Sequence, residues 1–317
     1  MPCQLLVLID LTPENRARYE AAGFQLHIAP TRDARAAAIA DVGNDVRAVV
    51  TNGSTGCYAD EIAKLPRLGI ICAVGAGYEN IDLDAAAARG IAVTNGAGTN
   101  DASVADHAMA LLMSVVRGIP QADLAVRAGK WDSVRQPRPM LFGKKLGVLG
   151  LGNIGNQIAQ RAHRGFEMQV GYCNRKPRAD SSYHYCATPA ELAAWCDFMV
   201  VAAPGGAGTK HLVNAEVLAA LGPNGYLVNI ARGSVVDTAA LIDCLKDGRI
   251  GGAALDVVEG EPEVPAGLLP LSNVVLTPHI SGRSPEAVFA VTTLVLKNLA
   301  AHLAGKPVLT PVGLQPV

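Results

Sequence analysis

Charge is scarce in this sequence, and what there is cancels. Charged side chains make up 17% of the 317 residues, and 27 Lys and Arg stand against 28 Asp and Glu. With 50% of the residues hydrophobic, this is the reverse of a disordered chain's composition. A net charge of -1 gives no electrostatic footprint for nucleic acid or for an anionic membrane. The seven cysteines (Cys3, Cys57, Cys72, Cys173, Cys186, Cys196, Cys244) are scattered, odd in number and without a C-x-x-C pair. A disulfide framework and a structural zinc site are therefore not expected, and a reducing, cytoplasmic setting is. No basic stretch precedes the short apolar run at the N-terminus, so no signal peptide is expected. No run approaches the ~18 continuous apolar residues of a membrane span. Internal repeats and low-complexity tracts are also missing.

What the chain has is length for two domains, at about 150 residues each. It also has glycine, 33 residues of it, much of which lies where tight strand-to-helix turns belong. Short apolar runs alternate with longer amphipathic ones, the signature of βαβ units and a parallel sheet. Strands are expected at Leu5–Ile9, Phe24–Ile28, Ala48–Thr51, Leu68–Val74 and Ile91–Thr94, with helices beginning near Pro13, Arg32, Tyr58 and Leu83. A long helix follows, from about Ala102 to Gly118, with Ser103-Val104-Ala105-Asp106 matching a capping box at its start. It is apolar nearly all round, which predicts burial at a domain junction or a subunit interface. Residues 129–144 read as a long connecting loop. A second series of strands is expected at Leu146–Leu149, Gln169–Cys173, Phe198–Ala202, Tyr226–Ile230, Gly252–Val257 and Val274–Leu276. An amphipathic helix over about 285–303 closes the chain. The fold class is α/β, with a doubly wound dinucleotide-binding domain in the second half.

The segment Gly150-Leu151-Gly152-Asn153-Ile154-Gly155 is a G-x-G-x-x-G placed directly between a strand and a helix. Its glycines allow a tight turn, close backbone approach to a pyrophosphate, and helix–strand packing. In an NAD site an acidic residue about 20 positions on binds the ribose 2′-OH. Here that position is Arg175, in Asn174-Arg175-Lys176-Pro177-Arg178, and no Asp or Glu stands between Glu167 and Asp180. Cations there suit a 2′-phosphate, so NADP(H) is the preferred cofactor, with NAD(H) as the lesser one.

Three polar motifs follow the later strands: Asn229-Ile230-Ala231-Arg232, Asp256-Val257-Val258-Glu259-Gly260-Glu261-Pro262 and Thr277-Pro278-His279-Ile280-Ser281-Gly282. All fall at the carboxyl edge of the sheet, where ligands bind in open α/β folds. Arg can clamp the carboxylate of a 2-keto acid and polarise its carbonyl. His can give a proton to the oxygen as hydride reaches carbon. A carboxylate beside the His would favour its proton-donating form. Glu259 and Glu261 both qualify by proximity.

Taken together these motifs resemble the D-isomer-specific 2-hydroxyacid dehydrogenase family, in its glyoxylate/hydroxypyruvate reductase branch, over nearly the whole chain. The ending, from Asn298 to Pro311, is similar to the hydroxypyruvate and hydroxyphenylpyruvate reductases. The resemblance implies a flavodoxin-like substrate-binding domain of residues 1–98 and 284–317 and a Rossmann cofactor domain of residues 99–283. It implies a cleft between them, with hinges near Gly98 and Gly282, and a homodimer. It implies Arg232 as substrate clamp, His279 as proton donor and Glu261 as the partner of His279. Val74, Gly75, Ala76 and Gly77 would present backbone amides to the substrate carboxylate; a glycine-flanked turn after a strand is in itself a plausible anion nest. Val104, Ala203, Pro204, Thr209, Ile230, Ala231, Asp256, Ser281 and Gly282 would line the cofactor site. Asn174, Arg175 and Lys176 would face its adenosine end.

Departures from the family pattern fall in two loops. Ala202 stands where relatives carry His, and Gly205-Gly206-Ala207-Gly208 is richer in glycine than usual. Asn95-Gly96-Ala97-Gly98 replaces Asn-Ala-Pro-Gly, which predicts a looser hinge. The expected activity is NADPH-dependent reduction of glyoxylate or hydroxypyruvate to the D-2-hydroxy acid. The rivals are a 2-ketogluconate or hydroxyphenylpyruvate reductase, a formate- or phosphite-oxidising relative, and a dinucleotide-sensing protein like the corepressors of this fold. The intact Arg, Glu and His set and the lack of basic tails favour an enzyme.

Overall fold

The computed structural model describes residues 3–313, and the chain divides into two compact units, Met1–Asn100 with Arg283–Val317, and Asp101–Gly282. The first unit contains β1 (Cys3–Val7), α1 (Pro13–Ala21), β2 (Phe24–Ile28), α2 (Arg32–Val42), β3 (Val46–Thr51), α3 (Ala59–Ala63), β4 (Ile70–Ala73), α4 (Leu83–Ala88) and β5 (Ala92–Thr94). Its five strands lie in the order β2-β1-β3-β4-β5 and pair in parallel, the flavodoxin-like arrangement.

Within the second unit, α5 (Asp101–Arg117) and α6 (Ile119–Arg127) precede β6 (Lys145–Leu149), α7 (Asn153–Phe166), β7 (Gln169–Cys173), β8 (His184–Cys186), α8 (Pro189–Trp195) and β9 (Phe198–Val201). Then come α9 (Ala215–Leu221), β10 (Tyr226–Asn229), α10 (Thr238–Lys246), β11 (Gly252–Leu255) and β12 (Val274–Leu276). Seven parallel strands run in the order β12-β11-β10-β9-β6-β7-β8, so the order reverses between β6 and β9. The last helix, α11 (Pro285–Leu303), belongs to the first unit.

Strand periodicity explains why both sheets need helices on both sides. Along β9, Phe198 and Val200 enter one apolar cluster while Met199 and Val201 enter another. Along β1, Leu5 and Val7 face the layer holding Val295 and Leu299 of α11, and Leu6 faces the opposite one. Strands buried on both faces read as continuous apolar runs, as these do. Helix starts are fixed by Thr12, Thr31, Asp82, Thr188, Asn214, Asp237 and Ser284, whose side chains accept the amide three residues on. Each such cap contributes about 1 kcal/mol.

Two expectations change, the capping box and the strand count. The capping box at Ser103–Asp106 is not one: α5 starts at Asp101, Ser103 Oγ donates to Ser281 O at 2.6 Å, and Asp106 pairs with Arg161 at 2.7 Å. One face of α5 is buried within its own unit, where Val104, Ala108, Leu112 and Val116 share a core with Leu146, Ile158 and Val228, and its His107, Ala110, Leu111 and Ser114 line a groove. Strand β8 is additional; three residues behind Ser181-Ser182 carry too little apolar pattern to announce an edge strand. Asn95 and Gly96 are hydrogen-bonded to neighbouring turns, as described below. By length and composition α11 could cross a bilayer. Its Val291, Val295, Asn298 and Leu299 are instead buried, making it a core helix.

Candidate active site

The three glycines after β6 do three different things. Gly150 has φ +99°, a conformation that favours glycine, and a Cβ there would lie 2.6 Å from Ala203 N, beyond the end of β9. A Cβ on Gly155 would lie 2.1 Å from Gly150 O, so α7 can press onto the turn only as glycine. Gly152 is the N-cap of the 14-residue α7, and a Cβ on it would meet nothing within 4 Å. That open face at a helix N-terminus is a cradle for a pyrophosphate, and the residues present fit a dinucleotide. Leu151 is buried behind the turn and Ile154 half-buried. Asn153, at the first turn of α7, hydrogen-bonds Asp101, whose own carboxyl is pushed up by burial against that bond.

Beyond β7, Asn174 Oδ1 accepts from Leu151 N at 2.7 Å, so Asn174 props the glycine turn itself. Arg175 and Lys176 are exposed. Arg178, third of the basic cluster, is engaged differently. Its Nε donates to Asp180 Oδ1 at 2.9 Å and its Nη1 to Leu151 O at 2.9 Å, while its own amide donates to Tyr172 Oη at 2.8 Å. Arg178 therefore braces the turn, and Arg175 and Lys176 are the exposed cations of the cluster. Neither Asn174 nor Arg178 was legible as a brace, because the brace depends on β6 and β7 being neighbours.

At the end of β10 the buried Asn229 builds the next loop. Its Oδ1 accepts from Ala231 N and its Nδ2 donates to Arg232 O, both at 3.0 Å. Ile230 and Ala231 are thereby held buried, and Arg232 Nη1 donates to Ala231 O at 2.6 Å. After β9, Ala203 is buried and Pro204 exposed, and Thr209 Oγ1 donates to Pro204 O at 2.8 Å to close the loop. The glycine at 205 has a reason: a Cβ there would stand 2.7 Å from Arg232 Cγ.

The third motif settles which carboxylate meets His279. Glu261 Oε1 lies 2.8 Å from His279 Nδ1. Glu259 turns away to His211, with Oε1 2.8 Å from its Nε2, and Oε2 accepts from Thr238 N at 3.2 Å. Burial works to raise the Glu259 carboxyl, but these hydrogen bonds outweigh it and hold it below the ordinary range. His279 has φ +53°, rare for a side chain this bulky, so its backbone is over-determined by its surroundings. Asp256 does much of that. Its oxygens accept from Thr277 Oγ1 at 2.7 Å, Ile280 N at 2.9 Å and Ser281 N at 3.0 Å, and its carbonyl accepts from His279 N at 2.8 Å. Burial works to raise the Asp256 carboxyl, and the hydrogen bonds overcome it, so it stays ionised. As placed, Asp256 shapes the His279 loop, with Ser281 buried and Gly282 half-buried at its end. Val104 is 4% exposed, a core side chain of α5.

In the first unit, the turn after β4 has its carbonyls taken. Gly75 O accepts from Gly96 N at 2.6 Å and Ala76 O from Asn95 Nδ2 at 2.8 Å. Gly75 has φ +99°, and a Cβ on Gly96 would lie 2.7 Å from Gly75 N. Val74 N donates to Thr51 O at 2.7 Å. Among the described residues no hydrogen bond uses the amides of Gly75, Ala76 or Gly77. A turn with engaged carbonyls and open amides suits an anion. Asn95 and Gly96 are what hold it.

Comparison with known proteins shows the family. The model of the D-isomer specific 2-hydroxyacid dehydrogenase NAD-binding domain matches residues 109–281. The chain belongs to that family. It is 43% identical to glyoxylate/hydroxypyruvate reductase A of Arabidopsis thaliana over 85% of this chain and 86% of that one. Identity to the 2-ketogluconate reductase of Gluconobacter oxydans is 38%, over 97% and 98%. Among solved structures, the NADPH-dependent glyoxylate/hydroxypyruvate reductase of Sinorhizobium meliloti, in complex with NADP and malonate, superposes with a TM-score of 0.91 at 37% identity, covering 100% of this chain and 98% of that one. This chain is an NAD(P)-dependent oxidoreductase of the 2-hydroxyacid type.

Proposed function

We propose that the protein reduces glyoxylate or hydroxypyruvate to the D-2-hydroxy acid, with NADPH as the preferred donor. The observation that carries this is the Glu261–His279 pair at 2.8 Å, on a loop of the same sheet edge as Arg232. Reduction adds a hydride to the carbonyl carbon and a proton to its oxygen. The glycine turn at 150–155 would hold a nicotinamide dinucleotide, which when bound would supply the hydride. His279 supplies the proton: with Nδ1 committed to Glu261, Nε2 is the donor, and it has no hydrogen bond among the described residues. Glu261 accepts from Nδ1, orients the ring and balances the charge of the doubly protonated imidazole that gives up its Nε2 proton. Arg232, oriented by Ala231 O, clamps the substrate carboxylate and polarises its carbonyl. In the first unit, the open amides of Gly75, Ala76 and Gly77 suit a carboxylate. The exposed Arg175 and Lys176 carry the preference for a 2′-phosphate.

The test is the initial rate of NADPH and NADH oxidation with hydroxypyruvate, glyoxylate and 2-ketogluconate in parallel. Fast NADPH oxidation with the two small acids supports the reading. A clear preference for 2-ketogluconate, favoured by the full-length likeness to the Gluconobacter enzyme, moves the substrate but keeps the chemistry. Cofactor binding with no turnover on any keto acid points to a dinucleotide sensor.

The protein also reads as a homodimer. Ile119, Leu124, Trp131, Met140, Phe142 and Leu269 are all more than half exposed, and Leu124 and Leu269 edge a groove of about 660 Å³ in the second unit. Exposed apolar side chains at the edge of a groove suit an interaction site. A monomeric mass by sedimentation at micromolar concentration refutes it. Seven free thiols suit a cytoplasmic home, which cell fractionation checks.

A further inference from the structure

Two His–Glu pairs stand on one loop. Glu261 holds His279, and Glu259, two residues earlier, holds His211 at the same 2.8 Å. The second pair has no part in the chemistry proposed above. It does join three segments that the chemistry needs in register.

His211 lies just beyond the Gly205–Thr209 loop. Its amide donates to Ser234 O at 2.8 Å, two residues past Arg232. Its ring reaches Glu259, and Glu259 in turn accepts from the first amide of α10, Thr238 N. Between these bonds the two loops touch directly: a Cβ on Gly233 would fall 2.1 Å from Val258 C and 2.4 Å from Glu259 N. The backbone of His211 therefore grips the Arg232 turn while its side chain grips the Glu261 loop. Its φ of +52° is a conformation a bulky residue adopts only when its surroundings demand it. Asp237 also faces the ring, with Oδ2 4.0 Å from Nδ1. The ionised Glu259 is an acceptor only, so the shared proton sits on His211 Nε2.

We infer that His211 is a positioning residue for the Glu261–His279 pair, acting through Glu259 to hold the Glu261 loop in register with the Arg232 turn. This rests on the proton-donor reading of His279. Gly260, with φ +80° and open space where a Cβ would be, gives the segment between the two glutamates freedom to swing once Glu259 is released. Misplacement of a catalytic group by about 1 Å costs roughly 100-fold in rate.

The test uses the intact chain with NADPH and hydroxypyruvate, and nuclear magnetic resonance of 15N-histidine-labelled protein. His211→Ala and Glu259→Gln are expected to lower kcat about 10- to 100-fold, with NADPH affinity unchanged. His211→Gln, which keeps an N–H donor at similar reach, should recover most of the loss. In a Glu261→Gln background, His211→Ala should add little. The downfield Nδ1–H resonance of His279, identified by its loss in Glu261→Gln, should broaden or vanish in His211→Ala and return in His211→Gln. A sharp, unshifted resonance in folded His211→Ala overturns the proposal, whatever the rate. So does a full-sized rate loss in the Glu261→Gln background, because His211 would then act independently of Glu261. Should His211→Ala fail to fold, Glu259→Gln gives the same readouts. Should the wild type reduce no keto acid, the reaction assignment fails, and the resonance still decides the brace.

Discussion

Glu261 Oε1 sits 2.8 Å from His279 Nδ1, and the residue between Glu261 and its rival Glu259 is a glycine at φ +80°. The turn at Gly260 sends the two carboxylates to different histidines, so only Glu261 meets His279. Replacing His279 with Ala should lower kcat about 100- to 10,000-fold, the range ascribed to a positioned general acid. NADPH affinity, measured by fluorescence titration, should hardly change. Glu261→Gln should lower kcat in the same direction by a smaller factor. Retained turnover in His279→Ala sinks the proton-donor role.

The basic turn after β7 makes a prediction that separates its members. Arg175 and Lys176 are exposed, whereas Arg178 is bound to Asp180 and to Leu151 O. Arg175→Ala and Lys176→Ala should each raise the KM for NADPH about tenfold, in line with the ~1.5–3 kcal/mol of a charge-assisted hydrogen bond, and leave that for NADH nearly unchanged. Arg178→Ala loosens the turn beside Leu151, so it should weaken NADPH and NADH alike. Equal effects of all three variants on both cofactors would remove the 2′-phosphate assignment.

How much of this the sequence announces depends on the range of the contact. Strands such as Phe24–Ile28 and Gln169–Cys173, and the helix over 285–303, fall where the apolar runs place them, because buried parallel strands and amphipathic helices write their period locally. The G-x-G-x-x-G and the motifs at Arg232, Glu261 and His279 are legible for the same reason: each is a strand end followed by a turn. The choice between Glu259 and Glu261 is not, since residue-level reasoning sees two carboxylates at similar reach. Nor are the braces. Asn95 on Ala76 O, Asn174 on Leu151 N and His211 on Glu259 each join segments 19 or more residues apart, and no local spacing reports which strand ends become neighbours.

Asp256 offers a test by pH. Its carboxyl is held below its ordinary value by the hydrogen bonds of Thr277, Ile280 and Ser281, which outweigh burial. The unfolded chain therefore binds this proton more readily than the folded one. Asp256 thus adds stability above the ordinary carboxylate range, and the contribution is lost as pH falls through the lower folded value. Asp256→Asn should cost about 1–3 kcal/mol at pH 7, the penalty for disturbing a buried hydrogen-bonded group. In denaturant titrations the gap to wild type should close as pH drops below the ordinary carboxylate range. A gap that stays constant down to acid pH would show that the charge on Asp256 is not what stabilises the His279 loop.

Gly205 gives the narrowest prediction. A methyl group at this position would stand 2.7 Å from Arg232 Cγ, and the displaced atom belongs to the stem near the backbone, not to a flexible tip. Arg232 cannot swing freely, because Asn229 holds its carbonyl and Ala231 O holds Nη1. Gly205→Ala should therefore shift the guanidinium while leaving the glycine turn at 150–155 untouched. The expected result is a fall in kcat/KM for the keto acid of about 10- to 100-fold, the cost of a misplacement near 1 Å, with NADPH affinity and melting temperature close to wild type. Gly206→Ala should differ in kind: Gly206 has φ +134° and open space around it, so a side chain there strains the backbone without touching Arg232. A Gly205→Ala enzyme with unaltered kcat/KM would mean that the placement of Arg232 does not limit turnover, and the clamp would then have to be sought elsewhere on the sheet edge.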